Sequence, residues 1–370
     1  MLSARTFLLL FLLSHLAPAR AATLEAQLKQ LDQRLVALRA EHKLPGMTVA
    51  VVKNGRIAWT NAYGYAYVDD EVRMTPDTPM WIASVTKPLV ATLFVKLEAA
   101  GAISMEDRIN DVPEWSGFCA WLAGSGLPFG KDLRCAAPIT IRDILQHRVN
   151  GVPGEQFLYN PIMFSRLSRY IEVKFGGSVR HVEGRQNRMA QLLEEQVLRP
   201  AGMQRTMASQ WQREKQSVFF DMAQGYGVQD GNWVARVRPE RHLAGGAGVV
   251  STVGDLARFD IALDRGAIVR DRQKLFTPPR RPDGTPSVYA YGWYVQEYRG
   301  ERLYWHSGWD EEAGFSALYV KVPDRHLSFI ILANGEGVSW NNPLAAAEIE
   351  HSPFARAFLE SLVFAEPAPH

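Results

Sequence analysis

The chain has 370 residues, 47% of them hydrophobic, which is enough to bury one large core or two linked ones. Its 41 basic and 39 acidic residues give a net charge of +2 and are interspersed along the chain. This balance argues against a nucleic-acid partner, because proteins that bind nucleic acids carry clustered basic residues.

The first 22 residues have the pattern of a secretory signal peptide. One early cation, Arg5, precedes an apolar run at 7–13, and Ala19-Arg20-Ala21 matches a small-x-small cleavage site. The run is short for a bilayer span, so an uncleaved anchor is the lesser alternative. No later stretch is apolar over the length of a membrane span. We therefore expect an exported protein, periplasmic or secreted, with no stable membrane span after signal cleavage.

Two local patterns follow this segment. Leucines spaced three and four apart at 24–38, with charged residues between them, predict an amphipathic helix. Asn54-Gly55 separates two β-prone runs at 47–53 and 56–64, and this arrangement predicts a β-hairpin. We therefore expect a helix and then a hairpin at the start of the mature chain.

Ser84 and Lys87 form the only Ser-x-x-Lys pair in the chain. Their spacing is about one helical turn, so the two side chains can meet. The residues at 79–83 are apolar, and the run at 89–97 is apolar nearly all round, which predicts a buried helix. Burial would lower the pKa of the lysine and let its amine take the serine proton. Ser84 is therefore the candidate nucleophile, and the alternative is a solvated helix turn.

The chain contains two cysteines, Cys119 and Cys135, both beyond the expected signal. In an oxidising compartment they could form a disulfide that closes a loop of about 16 residues, with a stabilisation of about 3 kcal/mol. The alternative is two unpaired thiols. The sequence leaves both possibilities open.

The remaining elements divide the chain into a helical middle and a strand-rich end. Between about 104 and 243 the chain has helix and loop patterns, with helices predicted at 141–147, 164–175 and 187–198. Strands are predicted at 289–297, 302–307, 315–322 and 327–332, and residues 343–363 are expected to be helical.

These elements predict an α+β fold with two lobes. The hairpin and the late strands would form one antiparallel β-sheet flanked by N- and C-terminal helices, beside a mostly helical lobe. The predicted limits are a signal peptide at 1–22 and one catalytic domain at 23–365, with a sheet lobe at about 23–80 and 245–365 and a helical lobe at about 81–244. Ser84 would lie between the lobes, where a cleft is expected to bind ligands.

Several other chemistries lack their motifs. The sequence has no Gly-x-Ser-x-Gly elbow, no His-Glu-x-x-His and no phosphate-binding glycine loop, and the glycines at 245–248 precede a strand-like run. Its nine histidines are scattered and form no metal-ligand pattern. We therefore expect that no cofactor and no metal is required, and cofactor-free acyl transfer through serine fits what remains.

Two further segments offer partners for Ser84. Tyr159 follows a turn, and a tyrosine whose pKa is lowered by nearby ammonium groups can act as a general base. The alternative is a partly buried packing tyrosine. His306 ends a strand-like run, and Gly308 after it would let another backbone approach closely. The alternative there is an edge-strand histidine bonded to solvent.

Taken in chain order, these segments resemble the serine β-lactamase and penicillin-binding-protein superfamily, in its class C-like branch, which includes esterases and D-amino-acid peptidases. The resemblance runs from about residue 24 to residue 332. It includes the segments 82–87, 139–147, 153–159, 198–203, 247–252, 255–259 and 306–308.

The resemblance implies a role for each matched residue. Ser84 would be the acylated nucleophile, Lys87 its activating partner, and Tyr159 the base or proton relay. His306 stands at the head of the third motif, where lactamases usually have lysine. The backbone N–H groups of Ser84 and Trp309 would form the oxyanion hole, next to Gly308 of the third motif.

Two departures from the superfamily pattern concern the second motif and its surroundings. The motif reads Tyr159-Asn160-Pro161 in place of Tyr-x-Asn, so the usual asparagine amide is missing. Asn160 is the neighbouring residue that could substitute for it in binding substrate. The stretch at 146–151 leads almost directly into Pro153-Gly154, where many relatives have a longer loop. This predicts a lower or more open cleft wall.

A third departure concerns the acidic run at 310–312 after the third motif. A mostly neutral His306 beside three carboxylates would hold the carboxylate of a β-lactam poorly. The alternative for this run is a solvated hairpin turn. The combination argues against a dedicated β-lactamase.

The sequence therefore predicts an exported serine hydrolase that forms an acyl-enzyme at Ser84. Its substrate would be a small molecule or peptide with an ester or amide bond. One alternative within the class is a β-lactamase or D-Ala-D-Ala carboxypeptidase. An alternative of another class is a non-catalytic binding or regulatory protein that keeps the fold.

Overall fold

The computed structural model describes residues 23–178 and 187–365. The expected signal peptide at 1–22 lies outside the described residues. Within the described ranges, no helix combines the length and the apolar character that crossing a bilayer requires.

The helices are α1 Leu24–Glu41, α2 Thr86–Ala99, α3 Trp115–Gly124, α4 Ile141–Leu145, α5 Pro161–Ser165, α6 Leu167–Phe175, α7 Arg188–Leu193, α8 Gln216–Phe220, α9 Val253–Asp264, α10 Gln273–Phe276 and α11 Pro353–Leu362. The strands are β1 Gly46–Lys53, β2 Arg56–Tyr67, β3 Val72–Arg73, β4 Met80–Trp81, β5 Tyr226–Gln229, β6 Asn232–Ala235, β7 Val250–Ser251, β8 Tyr294–Tyr298, β9 Glu301–Asp310, β10 Phe315–Val322 and β11 Leu327–Ala333.

The early strands β1–β3 and the late strands β8–β11 form one antiparallel sheet of seven strands, in the order β3-β2-β1-β11-β10-β9-β8. Asn54-Gly55 connects β1 to β2, with φ angles of 52° and 69° that match the left-handed conformation of a two-residue hairpin turn. β1 pairs with β11 from Met47↔Ala333 to Lys53↔Leu327, so the N-terminal hairpin continues directly into the late strands. The predicted α+β fold with an antiparallel sheet is confirmed.

Side chains of the sheet alternate between two cores, one on each face. On one face Phe329 stacks on Phe358 of α11, with ring centroids 4.9 Å apart. α1 packs beside α11 there and buries Leu31 and Leu35 completely. On the other face Ile330, the next residue of β11, belongs to the core that contains α2 and α9. The first core holds the terminal helices, and the second holds the helix that follows Ser84.

α2 runs through the second core. Every residue from Thr86 to Val95 is buried, as the apolar composition of the segment predicts. Two leucines and an alanine of this helix, together with Phe94, have no exposed surface at all. Tight packing of this kind fixes the first turn of α2, and therefore Lys87, in one position.

The last predicted helix is shorter than expected. Helix was predicted over 343–363, but α11 begins only at Pro353, with Ser352 as its N-cap accepting from the Ala355 N–H. Proline is well tolerated at the start of a helix because it lacks an N–H that would have no partner there. Residues 343–348 are irregular, and Leu344 among them lines the cleft described below.

Other elements differ from the prediction in number or in length. The β5–β6 hairpin lies in the region predicted to be helix and loop, although its Asp230-Gly231 turn is the same kind of signal as Asn54-Gly55. The strand predicted at 289–297 starts only at Tyr294, because Gly292 adopts a φ of 74° that interrupts the extended run. The helix predicted at 164–175 is divided into α5 and α6, and α7 continues as a π-helical turn, Glu194–Leu198.

Cys119 of α3 is bonded to Cys135, with 16 residues of sequence separation. The indole N–H of Trp115 donates to the Cys135 carbonyl oxygen at 3.0 Å, which ties the end of the closed loop back to α3. Of the two possibilities left open by the sequence, the structure therefore has the bridged form.

Removal of the disulfide should destabilise the protein. A double variant, Cys119→Ser with Cys135→Ser, is expected to lose about 3 kcal/mol of unfolding free energy, because a closed loop of this length restricts the unfolded chain. Chemical denaturation with and without reductant measures this loss. Reductant should weaken the wild-type protein and leave the variant unaffected. Two titratable thiols in the denatured, unreduced wild-type protein would contradict the bridge.

Candidate active site

The segment before α2 presents Ser84 in a strained turn. β4 pairs with β7, and the Ile82 N–H donates to the Val249 carbonyl oxygen at 3.1 Å, which anchors the chain just before the serine. Ala83 then adopts a φ of 45°, an uncommon conformation for a residue with a side chain. The 3-10 turn Ala83–Val85 leads into α2 and directs Ser84 into a cleft.

Lys87 lies one turn later with its ammonium nitrogen in contact with the serine. Its Nζ is 2.8 Å from Ser84 Oγ and 3.0 Å from the Gly246 carbonyl oxygen. Lys87 is completely buried, and the loss of water around its charge lowers its pKa from 10.5 to about 7. A large fraction of the amine is therefore neutral near pH 7, and its lone pair can accept the proton of the serine hydroxyl.

Two glycines allow other segments to pass close to Lys87. A Cβ atom on Gly246 would lie 2.9 Å from Ser165 Oγ and 3.5 Å from Lys87 Nζ. A Cβ atom on Gly292 would lie 2.7 Å from the Lys87 carbonyl oxygen. The sequence alone shows only that the glycines at 245–248 precede a strand-like run, because their contact with Lys87 depends on the tertiary fold.

Tyr159 lies beside this pair. Its ring centroid is 5.0 Å from Lys87 Nζ, and Ser84 lies close enough to its hydroxyl to influence its pKa. Its backbone N–H donates to the Leu344 carbonyl oxygen at 2.7 Å, so the irregular segment before α11 holds the residue in place. Burial raises the pKa of Tyr159 above its usual range, which is the opposite of the lowered pKa expected from the sequence. The phenol is therefore protonated, which suits a proton relay and not a tyrosinate base.

His306 is buried behind Tyr159 and does not line the cleft. Its Nδ1 donates to the Ser307 carbonyl oxygen at 2.7 Å, and its Nε2 accepts from the Tyr289 hydroxyl at 3.0 Å. Burial and the neighbouring charge of Lys87 lower its pKa well below 6.5. His306 is thus neutral, and since β9 lies between β8 and β10, the alternative of an edge-strand histidine is wrong.

The acidic run at 310–312 does not surround His306 as expected. Arg241 lies 2.7 Å from an oxygen of Asp310 and 2.8 Å from an oxygen of Glu312, so these two carboxylates are paired with a cation. The same Asp310 oxygen accepts from the Ala313 N–H, which closes the turn. The run is a structured hairpin turn, and the neutrality of His306 follows from its own burial.

Gly308 brings β9 against the nucleophile. A Cβ atom at this position would lie 2.4 Å from the Ile82 carbonyl oxygen and 3.2 Å from the Ser84 nitrogen. Only glycine permits this approach, and the next residue, Trp309, lines the cleft together with Ser84. The arrangement is compatible with an oxyanion hole between the two backbones, which stays a prediction.

Asn160 does not reach the cleft. Its side chain is completely buried, and its Oδ1 accepts from the Met163 N–H at 3.0 Å as the N-cap of α5. Its Nδ2 donates to Asn150 Oδ1 at 2.9 Å and to the Phe129 carbonyl oxygen at 2.8 Å. The structure therefore gives Asn160 a structural role, and the expected contact with substrate is not supported by its position.

His147 is a buried neighbour of the site that the sequence analysis did not single out. Its ring centroid lies 4.5 Å from that of Tyr159 and 4.8 Å from that of Tyr289. Its Nδ1 accepts from the Asn160 N–H at 3.0 Å. The pKa of His147 lies well below 6.5, because the ring is buried and because positive charge on Lys87 or His306 disfavours its protonation. The neutral ring of His147 therefore packs against the ring of Tyr159 and helps to hold it in place.

The cleft has a volume of about 750 Å³. Phe129 of the disulfide loop lines one side of the cleft. The lower or more open wall expected from the stretch at 146–151 stays a prediction. The segment at 339–344 forms another part of the wall, and Trp340 packs on Trp305 with ring centroids 5.3 Å apart. In the described part of the chain, no three acidic, histidine or cysteine side chains come together to hold a metal ion.

Residues 31–351 match the protein family described as Beta-lactamase. The chain is 26% identical over 331 residues to a D-aminopeptidase of Brucella canis, with 84% of this chain and 60% of that protein covered. It is 25% identical over 329 residues to an unguisins hydrolase of Aspergillus campestris, with 79% and 58% covered. The chain thus spans about 60% of the length of these curated relatives.

Solved structures share the fold. A penicillin-binding protein homologue from Pyrococcus abyssi, described as octameric, has a TM-score of 0.71 at 22% identity, over 92% of this chain and 78% of that one. The D-alanine carboxypeptidase AmpC from Burkholderia cenocepacia has a TM-score of 0.68 at 20% identity, over 92% of this chain and 100% of that one. At these identities the likeness concerns the fold alone.

The lowered pKa of Lys87 should determine the pH dependence of catalysis. Only the neutral amine accepts the serine proton, so kcat/KM for a neutral ester is expected to fall about tenfold per pH unit below an apparent pKa of about 7. Initial rates with p-nitrophenyl acetate across the neutral range measure this profile. A rate that rises only near pH 10, the ordinary range of lysine, would contradict it.

Lys87 should also shape the pH dependence of stability. Its folded-state pKa lies below its unfolded-state value, so the unfolded chain binds an extra proton between about pH 7 and about pH 10. Stability relative to Lys87→Met should therefore increase with pH in this window, by at most about 1.4 kcal/mol per pH unit. Denaturant titrations of both proteins at several pH values measure the difference. A constant difference would show that Lys87 keeps its ordinary pKa.

Proposed function

The chain belongs to the Beta-lactamase family, and on this premise we propose that it is a serine hydrolase that cleaves an amide or ester through an acyl-enzyme at Ser84. The observation that carries the proposal is the 2.8 Å contact between Ser84 Oγ and the buried Lys87 amine. A serine hydroxyl beside a neutral amine is an activated nucleophile, whereas a solvated serine is a poor one. The packed first turn of α2 holds the pair ready before substrate binds.

Acylation can be followed atom by atom. The Lys87 amine takes the proton of Ser84, directly or through the Tyr159 hydroxyl, while Oγ attacks the substrate carbonyl carbon. The oxyanion that forms would accept hydrogen bonds from the N–H groups of Ser84 and Trp309. The carbon–nitrogen or carbon–oxygen bond then breaks, and the leaving group takes the proton held by Lys87 or relayed by Tyr159. A water molecule then attacks the acyl-enzyme ester at Ser84 and gives up a proton to Lys87, directly or through Tyr159. The proton passes on to Ser84 Oγ as the ester bond breaks, which releases the acid and restores the free serine.

The cleft favours substrates that do not depend on a carboxylate. Lys87 is the only basic residue among the described residues that line it, and this amine is already bonded to Ser84 and to Gly246. His306 is neutral and buried, so it supplies no charge either. Recognition of the carboxylate of a penicillin or of a C-terminal D-alanine would normally use a cation. We therefore favour an amide or ester of the kind cleaved by aminopeptidase-like relatives over a β-lactam.

Export remains part of the proposal. It is supported by the signal-like pattern at 1–22 and by the bond between Cys119 and Cys135, since disulfides persist mainly in oxidising compartments. N-terminal sequencing of the protein recovered from the periplasm or the medium tests it. A protein recovered only from the cytoplasm, with its thiols reduced, would overturn export without affecting the proposed chemistry.

A serine-directed fluorophosphonate and a panel of acyl esters, D-amino-acid amides and penicillins test the catalytic proposal. Ser84→Ala should abolish both covalent labelling and turnover, because the nucleophile is gone. Lys87→Ala and Tyr159→Phe should each lower kcat/KM by about 10²-fold or more, since each removes a proton-transfer group. Intact-mass spectrometry and initial rates provide the two readouts.

Ser165→Ala is the matched control. Ser165 also lines the cleft, but its hydroxyl donates to the Pro161 carbonyl oxygen at 2.9 Å and lies outside the proposed proton path. This variant should keep labelling and most of the activity. Labelling of Ser84→Ala at the wild-type level would overturn Ser84 as the nucleophile. No turnover of any compound by the wild-type protein would favour the non-catalytic alternative.

A further inference from the structure

We propose that Glu336, with Trp309 and Trp340, forms a subsite for a positively charged group of the substrate, so that the enzyme prefers amides or esters bearing an ammonium near the scissile bond. This inference rests on the proposed hydrolysis at Ser84 and specifies the class of substrate. It concerns a part of the cleft that plays no role in the proton transfers described above.

The first observation is the charge of the cleft. Among the described residues that line it, Glu336 is the only acidic residue and Lys87 the only basic one. Lys87 is completely buried, and its pKa of about 7 leaves its charge incomplete at neutral pH. The accessible charge in the cleft is therefore the carboxylate of Glu336. A cleft with one carboxylate attracts a cation and repels an anion.

The second observation is the fixed position of Glu336 after β11. A Cβ atom on Gly337 would lie 2.8 Å from the Cβ atom of His42, and one on Gly335 would lie 3.1 Å from Pro45 Cδ. The backbone on both sides of Glu336 is thus seated against the connection between α1 and β1. This leaves the side chain of Glu336 to extend into the cleft, where it is one of the lining residues.

The third observation is the aromatic surroundings of the carboxylate. The indole N–H of Trp309 donates to Glu336 Oε2 at 3.2 Å, and the side chain of Trp309 remains 54% exposed. Trp340 lines the same cleft four residues after Glu336. A carboxylate together with indole rings is a favourable environment for an ammonium, which gains a charge-assisted hydrogen bond and cation–π attraction. A carboxylate or phosphate of a substrate would gain neither.

One protein cation competes for this carboxylate. Arg236 places a guanidinium nitrogen 3.5 Å from Glu336 Oε1, at the limit of a hydrogen bond, with both side chains partly exposed. Exposed pairs of this kind are weak. Arg236 does not line the cleft, so it lowers the affinity for a substrate ammonium without occupying its place. Removing Arg236 should therefore strengthen the preference for a cation.

The test compares two compounds that differ in charge and hardly in shape. D-alanine p-nitroanilide carries an α-ammonium, and isobutyric acid p-nitroanilide carries a methyl group in its place. Each is measured at one pH near 7, as a substrate and as a competitive inhibitor of p-nitrophenyl acetate hydrolysis. The readout is the ratio of the two kcat/KM values, or of the two inhibition constants. Comparing this ratio between variants cancels the intrinsic reactivity of each compound.

Glu336→Gln keeps the side-chain shape and an acceptor for Trp309, so only the charge is lost. The preference for the ammonium compound should fall about tenfold or more, as expected for a lost charge-assisted hydrogen bond. Arg236→Gln should shift the same ratio in the opposite direction, by a few-fold. Glu312→Gln removes the same charge from the turn after Trp309, at a residue that does not line the cleft, and should leave the ratio unchanged.

The outcomes separate this inference from the proposed function. Ester hydrolysis by the wild-type protein that is lost in Ser84→Ala supports the proposed function whatever the ratio shows. A ratio that is equal in wild type and Glu336→Gln, or a failure of both anilides to compete for the site, overturns the ammonium subsite. A ratio that falls equally in Glu336→Gln and Glu312→Gln also overturns it, because the effect would then be that of net charge alone. Thermal unfolding of each variant excludes a general loss of structure.

Discussion

The burial of Lys87 is the constraint on which the rest of the site depends. An ammonium without water is unfavourable, and no acidic side chain in the described part of the chain compensates its charge, so burial lowers the pKa of Lys87. The same packing that excludes water holds Nζ within 2.8 Å of Ser84 Oγ. A salt bridge at this position would have restored the ammonium and removed the lone pair. The apolar composition of α2 is therefore part of the chemistry as well as of the core.

Two histidines near Lys87 follow the same physics. His147 and His306 are both buried and both feel the charge of Lys87, and each has a pKa well below its ordinary value. The three basic groups form one cluster in which a proton on one disfavours a proton on the others. Since the histidines stay neutral, Lys87 is the group of this cluster that gains and loses a proton near neutral pH. The histidines act through neutral hydrogen bonds and through packing against Tyr159 and Tyr289.

The local patterns of the sequence predicted much of the fold. The leucine spacing of α1, the Asn54-Gly55 turn and the buried helix after Ser84 are local signals, and each element forms where it was expected. The prediction was wrong where tertiary contacts decide the conformation. Residues 343–348 have helix-forming composition, but Leu344 instead bonds to the backbone of Tyr159, and Trp340 is fixed on Trp305. The irregular path is stabilised by partners that are distant in sequence.

The candidate site shows the same division between local and distant information. The Ser84/Lys87 contact could be predicted, because one helical turn fixes it. The contacts of Gly246, Gly292 and Glu336 could not, since each lies more than a hundred residues from Ser84 and only the closed sheet brings them together. For Asn160, in contrast, the sequence suggested a contact that the structure does not place in the cleft. Its place beside Tyr159 suggested a contact with substrate, but it begins α5, and an asparagine at that position satisfies the backbone N–H groups of the helix.

The balance of charge across the cleft connects these points to the choice of substrate. A lysine at position 306 would have placed a second positive charge near Lys87. The buried neutral histidine removes that possibility and also leaves Lys87 free of further repulsion. Among the described residues that line the cleft, Glu336 carries the one carboxylate, and this charge is left to determine the sign of the potential. A neutral residue at position 306 therefore suits both the reactive Lys87 amine and the proposed preference for a positively charged substrate.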